Sequence, residues 1–362
     1  MIKVLYLLNI AGKGGTERYI RNLVEKLDGD KIKAYFAYNQ EGMLLDWMEA
    51  RGVPCFRLEM RRPFDFKAAK LLADYCRNNE IDVIHTHYLR ENYIALLAKK
   101  HYKKVRVVNT YHILGKDSTV VRVCTRVMSR SLDCQIANCS AGVRQLEENG
   151  VPKKKIRLVY NAVEPSYWKG DGKSTLRDEI GTADDEFIMF YAARFVPGKG
   201  HAYLIDAVRR LKALTDRPFR LVLAGDGELE DDVKKSCADM DTVCFMGYRT
   251  DMPNLYRGAD LTVCPSENET LSLLLLESMA AGTPVLATAV GGMTDIVTEE
   301  NVCGLLVPPR DSEAMARAML RFMSDEEFRV RCARGGEKAV REKFSLDAVC
   351  GQITEIYSGV EK

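Results

Sequence analysis

An α/β architecture built from two doubly wound parallel sheets is what this sequence predicts, on three observations. Short apolar runs alternate with amphipathic stretches of about 10–15 residues, the pattern of strands joined by covering helices. The pattern restarts near the middle of the chain, where a strand, glycine turn and helix opening at Phe187 repeats one at Val4. The 362 residues also exceed the roughly 250–300 that a single core usually carries.

Val4–Leu8 reads as a buried strand running into Gly12, Gly14 and Gly15. Ile20, Leu23, Val24 and Leu27 follow at helical spacing. Further strands are expected at Lys33–Tyr38, Ile81–His85, Val105–Asn109, Cys134–Ala137 and Ile156–Val159. Helices are expected at Leu44–Ala50, Lys67–Asn78, Tyr93–Lys100 and Ala141–Glu148. After the polar loop Lys169–Asp185, Phe187–Ala193 begins the second unit and Leu204–Leu214 is its first helix. Arg220–Ala224, Val243–Met246, Leu261–Cys264, Pro284–Ala287 and Leu305–Val307 are its further strands. Helices at about 229–238, 270–281, 294–299 and 312–323 connect them, and the tail, roughly 325–360, is helical. Strands separated by helices make mostly parallel sheets covered on both faces.

Composition narrows the classes of function. Hydrophobic residues at 46% and charged residues at 29% are globular values, away from disordered or fibrous chains. No apolar run reaches the roughly 18 residues of a membrane span, and Met1–Asn9 reads as a strand rather than a signal peptide. Eleven irregularly spaced cysteines without a C-x-x-C read as reduced cytosolic thiols. The formal charge of +2 conceals a partition. Residues 1–165 hold 29 Lys and Arg against 18 Asp and Glu, whereas residues 166–362 hold 24 against 33. The basic half is either an ordinary solvated surface or one that meets an anion.

Several segments could carry chemistry. Gly12-Lys13-Gly14-Gly15-Thr16-Glu17 lies between the first strand and helix. It is neither G-x-G-x-x-G nor a P-loop, so it is a tight turn or an anion contact at a helix N-terminus. Arg194 and Lys199 flank a Pro-Gly turn after the strand Phe187–Ala193. They are two surface cations or a clamp for a diphosphate. Gly225 and Gly227 in Ala224-Gly225-Asp226-Gly227-Glu228 allow backbone to pass closely. Glu269 is expected near the start of an apolar helix, where the dipole favours a carboxylate. Glu277 lies inside that helix, where it needs donors such as sugar hydroxyls or a core partner. His112 follows a strand's C-terminal end, as a contact to a reacting group or a structural histidine.

His85 and His87 have no third ligand near in sequence, so zinc is not expected. Asp28-Gly29-Asp30 and Asp239-Met240-Asp241 match a bare D-x-D. Both precede strands instead of following them and are not taken as cation sites. In Ser118–Arg130, Val120, Val123, Val127 and Met128 form an apolar face beside a row of Arg122, Arg126 and Arg130. This helix either packs its apolar side on the core or lies on an anionic bilayer. No alternation of basic and aromatic residues suggests a nucleic-acid surface.

In order, these pieces resemble the retaining, nucleotide-sugar-dependent glycosyltransferases of family 4. The resemblance runs from Gly14-Gly15 through Asp82-Val83-Ile84-His85-Thr86-His87, His112 and Leu158–Val163 to Ala193–Gly200. It continues through Ala224–Glu228, Pro265–Leu271, Leu276–Val285 and Gly291-Gly292. It implies the GT-B fold, two Rossmann-like domains facing across a cleft. The acceptor-side domain would be 1–165 plus a returning helix at about 345–362, and the donor-binding domain 166–344. Glu269 and Glu277 have the spacing of the family's E-x7-E motif. By resemblance, Glu269 approaches the transferred hexose and Glu277 holds the donor's ribose. Arg194 and Lys199 neutralise the diphosphate, Gly14, Gly15, Gly225 and Gly227 border the donor, and His112 contacts the sugar.

Where the family usually has a glutamate three residues after the glycine pair, this chain has Asp295, and Glu267 is an additional acid. The implied activity is retaining hexosyl transfer in surface polysaccharide or glycolipid synthesis. No permanently bound cofactor or metal is expected. The acceptor would be anionic or lipid-linked, and the enzyme cytoplasmic or peripheral on the inner membrane face. An epimerase or hydrolase, or a non-catalytic nucleotide-sugar-binding protein, are the alternatives on the same fold.

Overall fold

The computed structural model describes all residues except 28, 30, 62–64, 113, 114, 116, 117, 171, 184 and 360–362. The chain forms two compact units, residues 1–162 with 346–362, and residues 163–345. The first holds seven parallel strands: β1 (Ile2–Ile10), β2 (Ile32–Gln40), β3 (Cys55–Arg57), β4 (Val83–Thr86), β5 (Arg106–Tyr111), β6 (Cys134–Ala137) and β7 (Ile156–Leu158). Their spatial order is β3-β2-β1-β4-β5-β6-β7. The second holds six parallel strands: β8 (Phe187–Ala192), β9 (Phe219–Ala224), β10 (Val243–Phe245), β11 (Leu261–Cys264), β12 (Val285–Thr288) and β13 (Gly304–Val307). Their order is β10-β9-β8-β11-β12-β13. Each order reverses once, between β1 and β4 and between β8 and β11. Such switch points leave a crevice beyond the strand C-termini where ligands bind.

The alternation of β1 explains why both faces of the first sheet are covered. Val4, Tyr6 and Leu8 point into one core cluster, Leu5 and Leu7 into the other. Two sections of chain far apart in sequence complete those cores. Leu72 and Ile94 pack on the Leu5 side, while Val349, Ile353 and Tyr357 of the last helix, Leu346–Ser358, pack on the Tyr6 side. The chain leaves and returns at adjacent points, where Val163 N donates to the Phe344 carbonyl at 3.0 Å. All eleven cysteines are free, eight of them buried.

Short helices at Pro165–Lys169, Leu176–Ile180 and Met252–Gly258 were not foreseen, the second of them inside the expected loop Lys169–Asp185, and three further expectations change. β3 was not foreseen, because three residues are too few to show a period and it gains its identity only by pairing with β2. The helix expected at 270–281 runs only from Leu273 to Ala280. Thr270 stays outside it because its carbonyl accepts Gly292 N at 2.6 Å, so Glu269 lies four residues ahead of the helix and does not serve its dipole. The helix Thr119–Ser129 is turned opposite to the core-packing alternative, with Thr125 and Ser129 buried and Val120, Val123 and Val127 exposed. Among the described residues, no helix is long and apolar enough to cross a membrane.

Candidate functional site

In the second unit the expected residues gather at the strand C-termini around the β8–β11 switch point. β8 runs into the loop of Arg194 and Lys199, and β11 into the loop of Glu269. Glu267 N donates to the Gly198 carbonyl at 2.8 Å, which locks the two loops together. Lys199 Nζ donates to Glu269 Oε2 at 2.7 Å, so the expected cation and carboxylate meet directly. Burial pushes the Lys199 ammonium down, but the Glu269 charge and hydrogen bond outweigh it and hold its pKa above the usual value. Arg194 stands exposed on the same loop. Glu267, the additional acid, is tied to Arg310 at 2.6 Å.

The glycines here clear space for backbone. Phe195 N donates to the Asp226 carbonyl at 2.8 Å and Ala193 N to Ala224 O at 3.0 Å, zipping the Arg194 loop onto the 224–228 turn. Gly225, at φ 137°, sits so close that a Cβ would overlap the Ala193 carbonyl oxygen, and Gly227 abuts Phe195 in the same way. A Cβ on Gly200 would likewise overlap the Pro265 carbonyl, where the Lys199 and Glu269 loops approach each other.

Glu277 is buried in the helix Leu273–Ala280, and its Oε2 accepts from the Tyr256 hydroxyl at 2.8 Å. Glu269 and Glu277 thus have separate partners, Glu269 on Lys199 and Glu277 on Tyr256. Asp295 is half-buried in the short helix Met293–Ile296. Asp239 and Asp241 pair with Arg209 and Lys212, while Asp28 and Asp30 lie outside the described residues.

In the first unit, the glycine loop follows β1, His87 follows β4 and His112 follows β5, again at strand C-termini around the switch point. The Glu17 carboxylate lies on the glycine loop and accepts Gly12 N at 3.2 Å, while the Gly15 side is open. The anion contact of this loop is thus partly met by the protein itself. His87 Nδ1 and His112 Nε2 are 3.1 Å apart, and His85 is held by Tyr357 Oη at 2.6 Å and Thr110 Oγ1 at 2.7 Å. Loss of solvation pushes His85 and His112 down to about 3, and His87 also falls well below its ordinary value, so the cluster is neutral near pH 7. The ring of Tyr19 meets that of His112 edge-on at 5.1 Å.

Sequence reasoning missed Tyr256, Tyr19, His87 as the partner of His112, and Gln135 beside them. Only Tyr19 carried a readable signal, one helical turn beyond Gly15. The others are brought in by strand order, which no local pattern encodes.

The comparisons follow the same division. Residues 13–167 match the model of "Glycosyltransferase Family 4", and residues 172–339 that of "Glycosyl transferases group 1". N-acetyl-alpha-D-glucosaminyl L-malate synthase of Bacillus anthracis is 27% identical over 309 residues, covering 82% of this chain and 80% of its own. UDP-Gal:alpha-D-GlcNAc-diphosphoundecaprenol alpha-1,3-galactosyltransferase of Escherichia coli is 24% identical over 381 residues, 98% of this chain and 96% of its own. The structure of Anabaena HepE in complex with UDP and glucose superposes with a TM-score of 0.86 at 20% identity, over 99% of this chain and 100% of that one. Two parallel-sheet α/β domains with this likeness define the GT-B fold. The chain belongs with the family 4-like glycosyltransferases.

Proposed function

We propose that the protein moves a hexosyl-type sugar from a nucleotide-diphosphate sugar to an acceptor hydroxyl with retention of configuration, in surface polysaccharide or glycolipid synthesis. The observation that carries this is Lys199, held by Glu269 at 2.7 Å beside exposed Arg194 at the switch point of a parallel sheet. Breaking the C1–O bond sends its electron pair onto the diphosphate, and two fixed cations stabilise that charge without a metal. The acceptor oxygen then bonds C1 on the same face and its proton passes to a phosphate oxygen. Glu269 keeps Lys199 charged and stands where the sugar's developing positive charge is favoured.

Glu277, held by the Tyr256 hydroxyl, binds the donor's ribose. Gly14, Gly15, Gly225 and Gly227 border the donor, and neutral His112 can hydrogen-bond the sugar without repelling its developing positive charge. The Bacillus and Escherichia relatives, named for a malate and a diphosphoundecaprenol-linked acceptor, support an anionic or lipid-linked acceptor here. The HepE complex with UDP and glucose supports a nucleotide-sugar donor. The exposed valines beside Arg122, Arg126 and Arg130 support peripheral contact with an anionic bilayer.

The test is transfer of labelled sugar from nucleotide sugars to lipid-linked and free acceptors, with product anomers read by NMR. Arg194→Ala and Lys199→Ala should each lower turnover about 100-fold or more while leaving the fold intact. Near-normal turnover in a folded double variant overturns the assignment, and release of free sugar whether or not acceptor is present favours a hydrolase.

A further inference from the structure

Five buried side chains of the first unit form one run of hydrogen bonds between its first helix, Gly15–Leu27, and its last, Leu346–Ser358. Tyr19 Oη lies 3.3 Å from Thr110 Oγ1, and Thr110 Oγ1 lies 2.7 Å from His85 Nε2. His85 Nδ1 lies 2.6 Å from Tyr357 Oη, which donates to Tyr6 Oη at 3.4 Å. All five residues are at most 3% exposed. Strand register brings three of them together. Tyr6 on β1 pairs with His85 on β4, His85 pairs with Val108 on β5, and Thr110 falls two residues further along on the same face.

The direction of the run follows from its first member. Among the described residues, Thr110 is the sole hydrogen-bond partner of the Tyr19 hydroxyl. A buried hydroxyl proton without an acceptor is costly, so Tyr19 donates and Thr110 accepts. Thr110 then gives its own proton to His85 Nε2, and a neutral imidazole that accepts at Nε2 carries its hydrogen on Nδ1. That hydrogen goes to Tyr357, whose proton continues to Tyr6. The opposite direction would leave the Tyr19 proton unpaired. Burial pushes the His85 pKa down to about 3, so the ring is neutral near pH 7 and holds a single proton.

The first member also meets the candidate site. Tyr19 stands one helical turn beyond Gly15, and its ring lies edge-on to His112 at 5.1 Å and 73°. It meets His87 in the same way at 6.0 Å and 76°. Tyr19 is thus a common wall for two imidazoles whose facing nitrogens are 3.1 Å apart.

We propose that Tyr357 is a positioning residue for sugar transfer, holding His85 as the Nδ1–H tautomer and, through Thr110 and Tyr19, setting the ring of His112. The proposal rests on the reading in which His112 contacts the transferred sugar. In Tyr357→Phe the Nδ1 hydrogen loses its acceptor, so His85 changes to the Nε2–H tautomer and donates to Thr110. Thr110 then donates to Tyr19, whose own proton loses its acceptor, and the fit of the Tyr19 ring against His112 is disturbed.

The experiment is two-bond 15N–1H correlation of the histidine rings in the full-length chain. It is paired with steady-state transfer from UDP-glucose, UDP-galactose or GDP-mannose, whichever the wild type turns over fastest. The wild type should show His85 as Nδ1–H. Tyr357→Phe should show Nε2–H, shift the His112 resonances and lower kcat about tenfold, with donor KM within about twofold. Tyr19→Phe keeps the ring and removes the same link, so kcat should fall while His85 stays Nδ1–H. The double variant should be no slower than the slower single one, as for residues acting in series. Ile353→Val, one turn earlier on the last helix, should lower Tm while tautomer, His112 resonances and kcat stay at wild-type values.

His85 as Nε2–H in the wild type overturns the proposal, and that spectrum stands by itself if a variant does not fold. An unchanged tautomer, unchanged His112 resonances or wild-type kcat in Tyr357→Phe also overturns it. So does additive loss in the double variant, or the same losses in Ile353→Val. Wild-type turnover that Tyr357→Phe leaves intact removes the positioning role alone. Absence of wild-type turnover removes the transfer reading, and the spectra then decide whether Tyr357 sets the ring of His112.

Discussion

Gly225 shows how one residue sets the position of a charge it never touches. Its Cβ-free backbone lets the Arg194 loop close onto β9, and φ 137° is a conformation other residues enter only with strain. Gly225→Ala should lose about 1–3 kcal/mol of stability and displace the Arg194 loop. Denaturant melts would show the first effect, and a raised donor KM out of proportion to the stability loss the second. An unchanged melt and KM would mean the loop does not depend on this contact.

The histidines set a pH dependence at the same scale. His85 and His112 are pushed to about 3 and His201 to about 4 by burial, with His87 also well below the ordinary 6.5. The native state therefore stays neutral at these sites while the unfolded chain takes up protons below about pH 6.5. The stability they contribute is complete above that pH and is lost as pH falls from about 6.5 toward 3. The slope is about 1.4 kcal/mol per pH unit for each histidine. Thermal melts from pH 7 to 4.5 should fall, with His85 and His112 Cε1–H resonances constant throughout. Either residue titrating near 6.5 would contradict the burial argument.

Among the elements, the helix Thr119–Ser129 inverts the usual arrangement. Thr125 and Ser129 face inward, while Val120, Val123 and Val127 are 71%, 56% and 57% exposed. Beside them run Arg122, Arg126 and Arg130, all exposed and without an acidic residue on the helix. Three valines held in water on one stripe, rimmed by cations, fit the interface of an anionic bilayer better than solvent. Sedimentation with vesicles containing phosphatidylglycerol should carry the protein down, and Val123→Asp with Val127→Asp should abolish this without changing the melt, because both positions are exposed. Equal binding to neutral vesicles, or binding unaffected by the pair, would remove the membrane role.

This helix also marks the limit of local reading. Its spacing was visible in the valines and arginines, but which stripe would face outward was not, since periodicity locates a face and cannot say what covers it. The same holds for Glu269 and Glu277. Their spacing was legible, whereas their separate partners, Lys199 and Tyr256, come from neighbouring strands and helices.

For the whole molecule, the order of chain segments has consequences for assembly. The first unit lacks its last helix until residues 346–358 have been made, and Val349, Ile353 and Tyr357 belong to its core. Tyr357 also bonds His85, so the tail completes a polar contact as well as an apolar one. A fragment of residues 1–162 should therefore show lower cooperativity and a lower Tm by circular dichroism than the same fragment mixed with a peptide of residues 340–362. Residues 163–345 should melt cooperatively alone. A fully cooperative 1–162 fragment unaffected by the peptide would show that the tail is dispensable.

The sequence by itself determined the α/β class, most of the strands, the two-fold repetition of the pattern and the candidate residues at the strand ends. These are set by local periodicity and by the chemistry of glycine turns, which act over a few neighbours. Tertiary structure alone decided the three-residue β3, the outward turn of the valine stripe, the pairing of Lys199 with Glu269 and the joining of His87 and His112 beside Tyr19. Each of these depends on which strands lie side by side, and strand order is fixed by burial of both sheet faces across the whole chain rather than by any segment of it.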